Sequence, residues 1–213
     1  AKITDRYLYS YLKKQNTKSY LIKPMKYGLF SGGKRFRSKI IFDTGKIFGI
    51  NYNKLKILGA AVESIHSYSL IHDDLPCMDN DDIRRGRLST HKKFGESTAV
   101  LAGNSLLILA FEILSDKTLK LKNKVKTELV NSLASCSGYF GIAGGQYLDL
   151  NFEHKKIGKL KLLDMQNKKT GQLFSFCCLC PAIVAEKKLS VKMDLSKIGL
   201  QLGLLYQISD DLI

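Results

Sequence analysis

Apolar residues recur along this chain at the spacing of one helix face rather than in the strict alternation of a half-buried strand. The clearest stretches run from Leu58 to Ile71, Thr98 to Leu114, Thr127 to Phe140 and Leu195 to Ile208. With only three prolines in the chain to interrupt it, the pattern predicts an all-α fold. Within Leu58 to Ile71 the only strongly polar side chains are Glu63 and His66, so this stretch reads as a buried helix. Pro76 sets its end, because the residue before a proline is disfavoured in the α region, and the break is expected near Leu75.

Where that helix ends, five aspartates fall within the ten residues Asp73 to Asp82. Carboxylates so closely spaced repel one another unless cations sit among them. Magnesium is commonly held by one or two carboxylates together with substrate phosphates, and Arg84 and Arg85, which follow directly, are suited to bidentate phosphate binding. A solvated acidic loop would be the plain alternative, but it would not need a strongly apolar helix to deliver it. A second aspartate pair, Asp210-Asp211, closes a second apolar stretch, Ile198 to Ile208. Two such pairs could clamp one diphosphate through shared metal ions, with no need for a nucleophilic serine or cysteine.

Composition changes the picture only modestly. At 213 residues, without linker or repeat, the expectation is one domain. The net charge of +15 would suggest nucleic acid or an anionic surface if it were clustered, but the lysines are scattered, as on a solvated surface. No uninterrupted apolar run reaches the eighteen or so residues of a spanning helix, and Ala1 to Asp5 does not resemble a signal peptide. The five cysteines (Cys77, Cys136, Cys177, Cys178 and Cys180) are an odd number, unlike a secreted disulfide framework, and Cys177 and Cys180, a C-x-x-C without a second pair, read as small buried hydrophobes. Together these features point to a soluble, cytoplasmic protein.

Two partial motifs suggest other chemistry. Gly28 to Lys34 approaches a nucleotide-binding P-loop, yet Arg35 stands where the metal-binding hydroxyl belongs. His72-Asp73, with His66, approaches the doublet of metal-dependent phosphohydrolases, but His91 and His154 are the only further histidines.

Taken in order, the motifs closely resemble the short-chain trans-isoprenyl diphosphate synthases. They are Gly32-Gly33-Lys34-Arg35-Phe36-Arg37, Glu63-Ser64-Ile65-His66, Asp73 to Asp79, and Asp81-Asp82-Ile83-Arg84-Arg85-Gly86. Then follow His91 to Glu96, Gly144-Gly145-Gln146 with Asp149, Lys169-Thr170-Gly171 and Asp210-Asp211. The resemblance implies an isoprenoid-synthase-type helical bundle around a central cavity, and a prenyltransferase that condenses isopentenyl diphosphate with an allylic diphosphate. It implies that Lys34, Arg37, His66 and Arg85 hold the isopentenyl diphosphate. Arg84, Lys169, Thr170 and Gln207 would hold the allylic diphosphate, with two or three Mg2+ ions bridging it to Asp73, Asp79 and Asp210. Asp74 and Asp211 would support or replace these ligands, while Gln146 and Asp149 would orient the lysine side. Asp73, Asp79, Arg84, Lys169 and Asp210 form the implied catalytic set.

Tyr68 and Ser69 lie five and four residues before Asp73, so Tyr68 stands roughly 7 Å below it along a helix. A bulky ring there would act as a floor to the growing chain, and with the two extra residues Pro76-Cys77 it resembles the bacterial farnesyl type, giving a C15 product. C20 or C10 products remain alternatives. So does a non-catalytic subunit of the same fold, whereas a terpene cyclase would not need Lys34, Arg37 and Arg85. A homodimer is implied, with Ala99 to Leu114 as its candidate interface. Ser38 and Asn80 depart from common family residues, and the chain stops at Ile213 inside the second aspartate motif, so helices after that motif are expected to be absent.

Overall fold

The computed structural model describes residues 2–14 and 19–211, the side chains of Asp210 and Asp211 excepted. Leu58 to Ile71 forms the centre of α4 (Tyr52–Asp73). Leu55, Leu58, Ala60, Ala61, Val62 and Ile65 on this helix are fully buried, which a single apolar stripe would not permit, and small residues such as Ala60, Ala61 and Ser64 let neighbours approach on several sides. The helix ends at Asp73, two residues before the expected break, and a Leu75 N to His72 O hydrogen bond turns the chain ahead of Pro76.

The chain divides into two compact units. The first comprises Ala1–Lys39 and Tyr52–Leu119. It holds α1 (Lys2–Lys14), α2 (Ile22–Leu29), the first turn of α3 (Phe36–Ile47), α4, a short hairpin of β1 (Ile83–Arg84) and β2 (Arg87–Leu88), α5 (Thr90–Phe94) and α6 (Glu96–Ser115). Helices α1, α2 and α6 all pack on α4, and α6 runs along it most extensively. By length and a mean hydropathy of 1.7, α6 is long and apolar enough to cross a membrane, unlike the sequence expectation. Gly103, Asn104, Ser105 and Glu112 interrupt the apolar run without lowering its average enough. Its Ala99, Ala102, Leu106, Ala110 and Ile113 line the core of this unit.

The second unit, Ile40–Asn51 and Lys120–Ile213, contains the rest of α3, α7 (Asn123–Ser137), α8 (Ile142–Phe152), α9 (Lys159–Gln166), α10 (Gln172–Val184) and α11 (Leu189–Asp211). The stretch expected to run to Phe140 stops at Ser137, where Gly138 breaks the helix, leaving Tyr139 and Phe140 exposed. Helices α10 and α11 pack closely, with Phe174 against Tyr206 at a centroid distance of 5.3 Å and a Ser175–Ser196 hydroxyl bond of 2.7 Å. Cys136, Cys177, Cys178 and Cys180 are buried, as expected of Cys177 and Cys180, and burial pushes the Cys136 thiol up to about 12 and that of Cys178 up to about 11. Cys77 is exposed.

One close approach fixes α6 against the end of α4. His72 Nε2 donates to the Val100 carbonyl at 3.0 Å, and a Cβ on Gly103 would fall 2.2 Å from the same nitrogen. Gly103→Ala is therefore expected to force the imidazole aside and cost about 1–3 kcal/mol, the usual range for overpacking. Urea denaturation measures this; an unchanged midpoint would mean that the contact yields freely.

Candidate active site

The first aspartate motif is built as a closed loop. Asp79 N donates to Asp73 O at 2.9 Å, while Met78 N and Asn80 N both donate to Leu75 O, at 2.9 and 3.1 Å. The extra residues Pro76 and Cys77 thus form the tip of a turn that brings Asp79 back beside Asp73. Asp73 is half-buried and Asp79 exposed, and both offer the hard oxygen donors that Mg2+ requires. Among the described residues no three His, Cys, Asp or Glu side chains already converge as a complete metal cage. Two carboxylates at one place fit an ion that takes its remaining ligands from substrate and water. The expected ligands Asp210 and Asp211 end α11, and their side chains lie outside the described residues.

Asp74 has a partner other than the metal expected for it. It is 3% exposed, and its Oδ1 accepts from Arg84 Nε at 2.8 Å and from Arg84 Nη2 as well. Asp81 Oδ2 accepts from the same Nη2 at 3.1 Å. Burial pushes the Asp74 carboxyl up, against the opposing pull of Arg84. For Arg84 burial acts downward, but the Asp74 hydrogen bond and the surrounding carboxylates outweigh it and keep the guanidinium charged. A buried carboxylate thereby fixes the direction of a half-exposed arginine.

Arg85 and Gly86 form the two-residue hairpin turn, with φ of 53° and 74°, and Arg84 pairs with Arg87 across it. Tyr27 clamps this hairpin: its hydroxyl donates to Leu88 O at 2.7 Å, and the Arg87 guanidinium lies 4.5 Å above its ring. The turn sends Arg85 Nη1 to the Gly32 carbonyl. Gly33 is required here, since its φ is 110° and a Cβ would meet the Arg85 guanidinium at 2.5 Å. Lys34 follows, exposed, and Arg37 Nη1 donates to His66 Nε2 at 3.3 Å. Burial, then the charges of Arg37, Arg85, Arg35 and Arg84, hold His66 well below its usual range. His66 is consequently a neutral acceptor inside a cationic cluster, in which Lys34, Arg37, His66 and Arg85 belong to one loop and the elements that touch it.

In the second unit the segment Asn167–Gly171 is a π-helical turn between α9 and α10, a departure from α geometry often found at functional sites. Lys169 Nζ donates to Asp149 Oδ2 at 2.5 Å, and Thr170 Oγ1 donates to Gln207 Oε1 at 3.0 Å. Asp149, Lys169 and Gln207 line a pocket of about 360 Å³ with Leu162, Met165 and Gln166. Gln146 is buried one residue after Gly145, whose Cα abuts the Lys169 backbone.

Tyr68 is buried with its ring edge-on to His72 at 5.6 Å, and Ser69 Oγ is turned back to the His66 carbonyl at 3.0 Å. Sequence reasoning assigned no role to Tyr27 or Asp81, or to the network of Asp5, Arg35 and Glu63. Tyr27 leaves no local signal, because its partner is 61 residues away, whereas Asp81 stands three residues from Arg84 and within the aspartate run. Glu63 did leave one: a lone carboxylate inside an apolar helix demands a buried partner.

The low affinity of His66 for protons has a consequence for stability. Between its folded and unfolded titration points, the unfolded chain takes up a proton that the folded chain refuses. Stability is therefore expected to be full above about pH 6.5, the ordinary histidine value, and to fall below it by up to about 1.4 kcal/mol per pH unit from this residue alone. His66→Gln should flatten the slope of stability between pH 7.5 and 5 by close to one proton; identical slopes would show that His66 protonates in the folded state.

The polyprenyl synthetase family profile matches residues 18–213 of this chain. The chain is 39% identical over 214 residues to the farnesyl diphosphate synthase of Buchnera aphidicola subsp. Acyrthosiphon pisum, covering 100% of this chain and 76% of that one. It is 42% identical over 201 residues to the farnesyl diphosphate synthase of Escherichia coli, covering 93% and 67%. Among solved structures, an FPP/GFPP synthase from Zymomonas mobilis superposes with a TM-score of 0.92 at 37% identity, over 98% of this chain and 78% of its own. The fold is thus the all-α fold of the isoprenoid synthases, and the chain belongs to the polyprenyl synthetase family.

Proposed function

We propose that the protein is a trans-prenyltransferase that condenses isopentenyl diphosphate with dimethylallyl or geranyl diphosphate and stops at farnesyl diphosphate. The observation that supports this reading is that one chain carries a carboxylate loop with Arg84 held on it and two further, separately held cationic sets, one around His66 and one around Lys169. A protein binding a single diphosphate would not need both. Lys34, Arg37, His66 and Arg85 are assigned to isopentenyl diphosphate. Arg84, Lys169, Thr170 and Gln207 are assigned to the allylic diphosphate, and Asp73, Asp79, Asp210 and Asp211 to Mg2+. The geometry around Asp74 favours a role in aiming Arg84 over direct metal binding. The single-domain reading of the chain stands as part of the same proposal.

When bound, Mg2+ would neutralise the allylic diphosphate and make it a better leaving group. The residues of the chain do the rest. Arg84, preset by Asp74 and Asp81, and Lys169, preset by Asp149, present fixed positive charge to the diphosphate as charge builds on it. Neutral His66 and Arg37 hold the second diphosphate so that the isopentenyl double bond meets the allylic carbon. The new carbon–carbon bond leaves a cation that loses a proton, with the departed diphosphate a suitable acceptor. Tyr68 and the apolar residues of α4 shield the cation from water and limit the length of the chain.

Carboxylate spacing, scattered lysines and buried cysteines support a cytoplasmic protein without nucleic-acid partners or a spanning position in a membrane. The exposed Leu101 and Ile108 on the outer face of α6 support a homodimer. Sedimentation is expected to find a dimer that Leu101→Asp with Ile108→Asp converts to monomer, and a monomeric unmutated chain would remove the dimer.

Incubation with Mg2+, isopentenyl diphosphate and, separately, dimethylallyl, geranyl or farnesyl diphosphate is expected to give products ending at fifteen carbons, and chelation of the metal should abolish them. Tyr68→Ala should extend the product to twenty carbons or more. Unchanged product length in this variant would refute the floor, while no condensation by folded protein would point to a non-catalytic subunit.

A further inference from the structure

Three cations crowd the segment Lys34-Arg35-Phe36-Arg37, and sequence alone gives no reason to treat the middle one differently. The structure separates it sharply from the others. Arg35 is 7% exposed and its donors are all directed inward, Nε to Asp5 Oδ1 at 2.9 Å, Nη1 to Glu63 Oε2 at 3.2 Å and Nη2 to the Leu29 carbonyl at 2.6 Å. Its backbone sits at φ 49°, in the left-handed region that L-residues avoid. Three fixed acceptors hold it there.

Glu63 completes the arrangement from α4. It is 1% exposed, and a carboxylate so deep in an apolar helix persists only when paired and hydrogen-bonded. One oxygen receives Arg35; the other accepts the backbone N–H of Ser38 at 3.1 Å. Ser38 is the third residue of α3, so Glu63 satisfies an otherwise unpaired N–H of that helix from 25 residues away, as a local cap would. The Arg35 carbonyl in turn accepts from Ser38 Oγ at 3.1 Å and Lys39 N at 3.0 Å.

The spacing on α4 gives this cap its functional reach. Residues 63 and 66 are three apart and share a face of the helix. Glu63 grips the first turn of α3 at Ser38, and His66 meets Arg37 in that same turn. Two points of contact fix the rotation of the turn on α4, where one would leave it free to swing. On the other side of Arg35, Gly32 and Gly33 receive the guanidinium of Arg85. Every group assigned to isopentenyl diphosphate is therefore attached to, or in contact with, the segment that Arg35 and Glu63 pin down.

We infer that Glu63 and Arg35 are positioning residues for the isopentenyl diphosphate set: they touch no substrate, and they preset Lys34, Arg37, His66 and Arg85. This rests on the assignment of that set in the proposed function. An alternative use of Arg35, as one more phosphate ligand, conflicts with its burial and its three occupied donors.

The test is steady-state kinetics with isopentenyl and geranyl diphosphates, together with calorimetric binding of isopentenyl diphosphate alone. Glu63→Ala is expected to raise the KM and Kd for isopentenyl diphosphate at least tenfold, with kcat and the KM for geranyl diphosphate changed less than about twofold. Glu63→Gln, which keeps a carbonyl oxygen for Ser38 N, should restore most of the loss. Arg35→Lys keeps the buried charge but cannot reach all three acceptors, so it should show the same selective rise even if Glu63→Ala does not fold. Constants for both substrates worsening together, or kcat collapsing with them, would reduce the network to general stability and overturn the inference. Unchanged constants in folded variants would overturn it as well. Failure of the unmutated protein to bind or condense isopentenyl diphosphate would instead bring down the functional reading, and this inference with it.

Discussion

Charge pairing inside an apolar helix bundle is the constraint on which the first unit depends. Its central helix is buried on several sides, yet it carries Glu63 in the interior, the half-buried His66 three residues on, and Asp74 just past its end. Ionised groups in such surroundings persist only where partners are supplied. Arg35 supplies one for Glu63, Arg84 supplies one for Asp74, and His66 avoids the problem by remaining neutral. In each case the resolution of a buried-charge problem also fixes a cationic side chain: Arg35 through Glu63, Arg84 through Asp74 and Arg37 through His66. Burial that would be a burden elsewhere is thus the means of preorganisation here.

The second unit reaches a comparable result by different means. Lys169 lies in a π-helical turn, where the backbone departs from α geometry, and Asp149 from α8 receives its ammonium. Thr170, from the same turn, is tied to Gln207 of α11. Both ties are less buried than that of Glu63, and the Lys169–Asp149 pair is open enough for solvent to weaken it. A lysine held this way is a compact charge on a flexible stem, whereas Arg35 and Arg84 of the first unit are planar forks locked at two or more donors. The rigid forks suit fixed recognition, and the lysine suits an oxygen whose charge changes during reaction.

Much of this was legible in the sequence, for reasons that can be stated residue by residue. Helical spacing revealed α4, α6, α7 and α11, because each must bury apolar side chains over many turns. The carboxylate loop was visible because five like charges in ten residues require an explanation. What could not be read was pairing across distance. Asp74 and Asp79 look equivalent as letters, but the first turns inward to Arg84 and the second is exposed. Lys34, Arg35 and Arg37 look like one basic cluster, although the fold sends Arg35 alone into the core. The hydropathy of α6 is hard to see in the sequence because polar residues break the run while leaving its mean high.

A half-buried neutral histidine among four arginines also bears on how a substrate would be received. The first unit holds Arg35, Arg37, Arg84 and Arg85 around His66, and two of these already have carboxylate partners. Arg37 donates to the neutral imidazole, and Arg85 donates to the Gly32 carbonyl. A neutral acceptor can hold a guanidinium in place without cancelling its charge, whereas a carboxylate would compete with an incoming phosphate. Burial then divides the four: Arg35, 7% exposed and turned to Asp5, Glu63 and the Leu29 carbonyl, serves structure, whereas Arg37, Arg84 and Arg85 keep part of their surface open. On that ground Arg35 is the one of the four that is closed to an incoming diphosphate.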